Sequence, residues 1–297
     1  MNITRWMIGG LLVGMLGLTG CRAKPEPHPI YLGVGSYQET MPVGKLATFP
    51  PDTVIPRMMT IEMMMDDPIP TRDIKRCNAR KVAPILVIHP VLRSGEVVSL
   101  NEIISGRWDE TLMKWSQSLS GFEELVLVLF APDPNLEYQP WSVAKLGKSP
   151  DQYIMAYQRV TVGIRSANPP SVMMVWGIGA HQSPNEAWNE ALLTYPGDEY
   201  VDWVAISATD RVTPLDGMFR RMVKVVESKI EKPIMLTQFF HQSSKEWDKE
   251  MLKALRGPLK GVDAVLVTNR EGWGNKKGGW MAHPIFKAPF GALMDVE

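Results

Sequence analysis

"ELVLVLFAPD", Glu124–Asp133, is the stretch on which the fold turns. Six apolar residues follow one another from Leu125 to Phe130, with no alternation of polar and apolar positions. Such a run reads as a strand covered on both faces, the condition of a strand inside a parallel sheet. It closes on Pro132 and Asp133, so a carboxyl group stands where the apolar run gives out.

Seven further runs of the same kind lie on either side. They are "YLGVGSY" (31–37), "PRMMTIEMM" (56–64), "VAPILVIHP" (82–90), "SVMMVWGIG" (171–179), "YVDWVAISAT" (200–209), "KPIMLTQFF" (232–240) and "VDAVLVTNR" (262–270). Helical patterns separate them. In "WDETLMKWSQSLSG" the apolar residues Leu112, Trp115 and Leu119 recur at helical spacing before a Gly stop. "DQYIMAYQRVTVGIRSA" and "PLDGMFRRMVKVVESKI" have the same character. Eight strand–helix alternations predict an α/β fold, the (β/α)8 TIM barrel, and 297 residues suit it. The rival is an open doubly wound sheet. No glycine-rich phosphate fingerprint follows any strand to favour it.

Composition bounds the partners. Lys plus Arg and Asp plus Glu are both 32, so no basic surface calls for nucleic acid. The apolar share of 45% is enough for a full core.

The first residues read as a processing signal. One basic residue, Arg5, precedes the short apolar run "MIGGLLVGMLG", and "LTGC" follows at Leu18–Cys21. This resembles the lipobox of bacterial lipoproteins, in which the Cys becomes the lipidated N-terminus after cleavage. The expected organisation is a signal peptide over 1–20, a lipidated Cys21 with a Pro-rich tether over 21–30, and a barrel domain over 31–297. The expected location is the bacterial cell envelope, lipid-anchored, at the outer membrane or cell surface. Arg22 after the Cys mildly favours the outer membrane over the inner one. An ordinary signal peptide with a chance Cys is the plainer alternative. With Cys21 acylated, Cys77 has no disulfide partner, and its helical stretch "DIKRCNAR" suits buried filler.

In a barrel of this kind, chemistry sits where strands end. Strand three is expected to end in His89, strand four in Asp133 with Asn135 beyond, and strand five in Trp176 with His181 beyond. Strand six should end near Asp210, strand seven in Gln238, and strand eight in Asn269, with Trp273 and Trp280 beyond. Tryptophan faces among amides and acids can stack and hydrogen-bond a sugar, although each residue taken singly reads as readily as a loop residue or core cap. The five histidines are scattered, so no metal is expected, and no cofactor either.

Several pieces in order resemble glycoside hydrolase family 26, the endo-β-1,4-mannanases and related β-glycanases. They are "IISGRWDETLMKWSQSL" (103–119), "NPPSVMMVWGIG" (168–179), "YPGDEYVDWVAIS" (Tyr195–Ser207) and "KPIMLTQF" (232–239), and the likeness extends over roughly 31–285. The resemblance implies a retaining hydrolase with two glutamates, an acid/base after strand four and a nucleophile at the end of strand seven. Their carboxyl groups would stand ~5–5.5 Å apart. In "FAPDPNLEYQPW" (130–141), Asn135, Pro140 and Trp141 match the family pattern. Asp133 stands at the acid/base position, Pro132 replaces a His and Pro134 a Met. Gln238 stands at the nucleophile position.

An amide has the shape of Glu without its charge, and cannot attack an anomeric carbon. The implied substrate-binding set is His89, Asn135, Trp141, Trp176, Asp210, Trp273 and Trp280, and the implied partner is β-mannan or a related β-glycan. Three readings follow: a lipid-anchored barrel that binds polysaccharide with hydrolysis lost or strongly reduced; an active β-glycanase using Asp133 and a relocated carboxylate, with Asp66, Glu137, Asp210 and Glu271 as candidates; and a protein-interaction scaffold whose cleft is filled, for instance by Phe239 and Phe240.

Overall fold

The computed structural model describes residues 31–34, 58–207, 215–240, 253–257 and 259–268. Eight parallel strands close on themselves in sequence order, with the eighth pairing the first. They are β1 Tyr31–Val34, β2 Met58–Met64, β3 Ala83–His89, β4 Val126–Phe130, β5 Val172–Gly179, β6 Trp203–Ser207, β7 Ile234–Phe240 and β8 Ala264–Thr268. The α-helices among the described residues include α1 Thr71–Asn78, α2 Leu100–Ile104, α3 Asp109–Leu119, α4 Asp151–Arg165 and α5 Leu215–Glu227. The TIM barrel read from the eight apolar runs is therefore the fold.

Side chains alternate between two cores, because successive Cβ atoms of a strand point to opposite faces. Ala83, Ile85 and Val87 of β3, Leu127 and Leu129 of β4, and Trp203 and Ala205 of β6 fill the barrel interior. Their neighbours Leu86 and Ile88, Val128 and Phe130, and Val204 and Ile206 pack outward under the helices. This double coverage is why the strands carry no polar stripe. Closure at β1 depends on Gly33, which pairs with Met58 on one side and Leu266 on the other. A Cβ there would stand 2.8 Å from Leu266 Cγ and 2.9 Å from Met58 Cβ, closer than atoms can pack.

The outer layer bears out the helical periods. Leu112, Trp115, Ser116 and Leu119 are the buried face of α3, and Trp115 donates its indole N–H to the Asp67 carbonyl at 2.8 Å. Cys77 lies buried on α1, and burial pushes its thiol up to about 12, with Asp73 adding to the rise, which leaves it inert.

Candidate functional site

Three strands, β4, β5 and β7, end differently from the sequence reading. β4 stops at Phe130, three residues short of Asp133. Ala131 and Asp133 then take φ of 46° and 59°, on either side of Pro132. These left-handed conformations cost energy for residues with a Cβ, and Asp tolerates them better than most. The effect is to turn the chain sharply inward. The Asp133 N–H donates to the Gly177 carbonyl at 3.0 Å, fastening the turn onto β5. Gly177 leaves the room: a Cβ on it would meet Leu129 Cδ1 at 2.7 Å and Pro132 Cβ at 3.4 Å.

Asp133 consequently lies inside the barrel. It is 1% exposed. Its Oδ1 accepts a hydrogen bond from the Ser207 hydroxyl, at the end of β6, at 2.6 Å. Its Oδ2 has no hydrogen-bond partner among the described residues. Burial pushes the carboxyl up to about 6, against the lowering pull of the Ser207 hydroxyl and of His89. Asp133 lines a small cavity of ≈ 20 Å³ together with Thr60, Glu62, Ser207 and Thr237.

The polar groups nearer solvent are Glu62 and His89. Glu62 sits on β2 and His89 ends β3, as expected from the sequence. His89 Nε2 and Glu62 Oε2 are 2.7 Å apart, with about a quarter and a fifth of the side chains exposed. Trp141 packs against the His89 ring, with centroids 5.6 Å apart and planes at 46°. Its indole N–H donates to the Pro132 carbonyl at 2.7 Å, which props the Asp133 turn from outside. Glu62 was not among the residues picked from sequence. Its only signal was a charged residue at an interior-facing position within the methionine-rich run of β2.

Other expected site residues have different placements. Trp176 does not end β5, which continues to Gly179. It faces outward, fully buried under the helices, with the Tyr195 ring edge-on at 5.0 Å. The expected rim position is corrected here, because Val175 and Gly177 take the inward face of the strand. Trp141 is likewise buried, at 3% exposure, and offers no open face for stacking.

Asn135 is a clamp. Its Nδ2 donates to the carbonyls of Gly179 and His181 at 3.0 and 2.8 Å, and its Oδ1 accepts from the Gly179 N–H at 2.8 Å. Asn189 then donates to the Asn135 carbonyl at 2.9 Å. The loops after β4 and β5 are thereby joined. The aromatic groups these loops do present are Tyr138, 49% exposed, and Trp188, with Lys148 Nζ 5.3 Å from its ring centroid.

Of the carboxylates considered as stand-ins, Asp66 is exposed and accepts the Arg93 N–H at 2.9 Å, and Glu137 is exposed and accepts from Ser183 at 3.0 Å. Asp210 and Glu271 lie outside the described residues, as do Asn269, Trp273, Trp280 and Cys21. Gln238 is on β7, which runs on to Phe240 instead of ending there, within a register shift between Leu236 and Phe239. The surroundings of its side chain lie outside the described residues. No group of three or more His, Cys, Asp or Glu side chains among the described residues is placed to share a metal ion.

The closed parallel barrel carries an acid after β4 and polar strand ends at its C-terminal mouth, the end at which barrels of this fold place their sites. The family model described as glycosyl hydrolase family 26 matches residues 140–242. Over that stretch, about a third of its length, the chain is similar to glycoside hydrolase family 26. Among solved structures, it is similar to a β-mannanase of that family from Bacteroides ovatus, with 14% identity, TM-score 0.59, and coverage of 91% of this chain and 88% of that one. The family 26 domain of an endo-β-mannanase/endo-β-glucanase from Prevotella bryantii matches with 11% identity, TM-score 0.59, and coverage of 87% and 90%. An endo-β-1,4-glucanase from Xanthomonas axonopodis pv. citri matches with 11% identity, TM-score 0.56, and coverage of 90% and 98%. At these identities the likeness is one of fold. No curated protein matches the chain.

Proposed function

We propose that this barrel binds a β-linked polysaccharide, β-mannan or a related β-glycan, with hydrolysis lost or strongly reduced. The observation that carries the reading is the seclusion of Asp133. General acid catalysis requires the acid within hydrogen-bond reach of the glycosidic oxygen. A carboxyl 1% exposed, facing a cavity of ≈ 20 Å³, has no room for a pyranose ring beside it. Gln238, at the position that the family resemblance gives to the nucleophile, supports the same conclusion. The similar structures, a β-mannanase and an endo-β-mannanase/endo-β-glucanase, support a β-glycan as ligand. Among the described residues, His89 is the member of the expected binding set that retains partial exposure beside a second polar group, Glu62. Asp210, Trp273 and Trp280 remain part of the proposed binding set on sequence grounds.

We propose further that the barrel is lipid-anchored, a reading that the "LTGC" stretch supports. Cleavage after residue 20 and acylation of Cys21 would hold the 31–297 domain at the bacterial envelope, on the outer membrane or cell surface, through the tether over 21–30. No helix among the described residues is long and apolar enough to cross a membrane.

A second reading, an active β-glycanase, draws on Glu62 as a carboxylate that solvent can reach. One experiment separates the two. The protein is incubated with β-mannans, β-glucans and β-xylans, and reducing-end release and retention on each polymer are recorded together. Retention without release is expected, with some release recovered in a variant carrying both Asp133→Glu and Gln238→Glu. Clear release by the wild type, abolished by Glu62→Gln, would establish the active reading instead. Neither retention nor release would point to the interaction scaffold.

A further inference from the structure

The pair of Glu62 and His89 decides which kind of hydrogen bond the mouth can offer. The two residues stand on the inward face of neighbouring strands, where Glu62 pairs in register with Val87 and Met64 with His89. His89 Nε2 is 2.7 Å from Glu62 Oε2. A carboxylate only accepts hydrogen bonds, so the proton between them belongs to Nε2. In a neutral imidazole the other nitrogen, Nδ1, then carries a lone pair and no proton. Trp141 backs the ring at 5.6 Å between centroids and is itself fixed by its bond to the Pro132 carbonyl.

With Nε2 committed to Glu62, any bond from a neutral His89 to a ligand runs through Nδ1, as an acceptor. The oxygens of Glu62 are acceptors too. Both side chains keep part of their surface open to solvent. A sugar hydroxyl can donate to such groups. A sugar carboxylate has no proton to give, and it meets the like charge of Glu62, which is costly across an interface. Arg93, the cation in the loop after β3, does not offset this, because its guanidinium is paired with Asp67.

We propose that Glu62 is a specificity-determining residue of the mouth. It holds His89 as the Nε2–H tautomer, so that the pair takes a neutral glycan through its hydroxyl groups and rejects one whose sugars carry carboxylates. This rests on the reading of the barrel as a glycan binder and names the class of glycan. Toward His89, Glu62 is a positioning residue; toward an anionic sugar, it is the repelling charge.

The test compares retention on β-mannan and on the same polymer with its primary hydroxyls oxidised to carboxylates, in buffer alkaline enough to keep imidazole neutral. The wild type should prefer the neutral polymer by about tenfold or more. Glu62→Gln keeps the shape, removes the charge and no longer obliges the proton to sit on Nε2, so it should narrow the preference. Ring 15N spectra without ligand read the tautomer directly, with the His89 signals assigned by their loss in His89→Gln. They should show Nε2–H alone in the wild type and a share of Nδ1–H in Glu62→Gln. Equal retention of the two polymers by the wild type, an undiminished preference in Glu62→Gln, or Nδ1–H in the wild type would overturn the selection and leave glycan binding standing. Retention of neither polymer would overturn the glycan reading and the selection with it.

Discussion

Asp133 holds an acid where its charged form is disfavoured, and this makes stability depend on pH in an unusual direction. Most paired carboxylates lend stability as pH rises. Here burial lifts the folded-state value to about 6, above the ordinary 3.8. Across that window the folded chain retains a proton that the unfolded chain has released, so this group's contribution falls as pH rises, by about 3 kcal/mol in total. Asp133→Asn keeps the acceptor for Ser207 and removes the charge. Its unfolding free energy should therefore lose less between pH 4 and pH 7 than the wild type's, as read by chemical denaturation at the two pH values. Equal pH dependence in the two proteins would remove Asp133 from the account. Ser207→Ala takes away the donor to Oδ1 and should destabilise by about 1–3 kcal/mol at neutral pH.

At the scale of elements, the loops after β4 and β5 behave as one piece because Asn135 joins them. Asn135→Ala breaks three hydrogen bonds at once and leaves the Gly179 N–H without its partner. A loss of about 3 kcal/mol is expected by denaturation, at ~1 kcal/mol per bond. Trp176 belongs to the same region but to the outer core. Trp176→Ala should cost about 3–5 kcal/mol, the range for emptying a buried aromatic site, with a corresponding drop in Tm. How far such features could be read from sequence varies for physical reasons. The strands were legible because a run covered on both faces has no polar positions to blur it. The same property hides the phase: with no polar stripe, nothing in "SVMMVWGIG" tells which of Trp176 and Gly177 faces inward. Glu62 stayed hidden among methionines for the same reason. The turn at Asp133 ran against local preference, since a residue before Pro is usually extended; its inward course depends on Gly177, 44 residues along the chain, which no local reading supplies.

For the whole molecule, closure rests on a short strand. β1 has four residues, and Gly33 at its centre touches both flanking strands. Gly33→Ala inserts a methyl group against Leu266 and Met58, and overpacking of this kind typically costs about 1–3 kcal/mol. Thermal unfolding should show the drop, and an unchanged Tm would mean that β1 can shift outward without loss. The barrel itself was legible from eight alternations, while the state of its mouth was not, because burial of an acid is a property of the assembled strands.

The methionines give this barrel a chemical record of its own integrity. On β2 and just after it, Met58, Met59, Met63 and Met65 are 0–2% exposed, whereas Met113 on α3 and Met155 on α4 are about half exposed. Peroxide converts methionine to a polar sulfoxide where it can reach the sulfur. The two helical methionines should be oxidised first and without structural consequence. Sulfoxide appearing on β2 would report that the wall has already opened, and would then keep it from closing again.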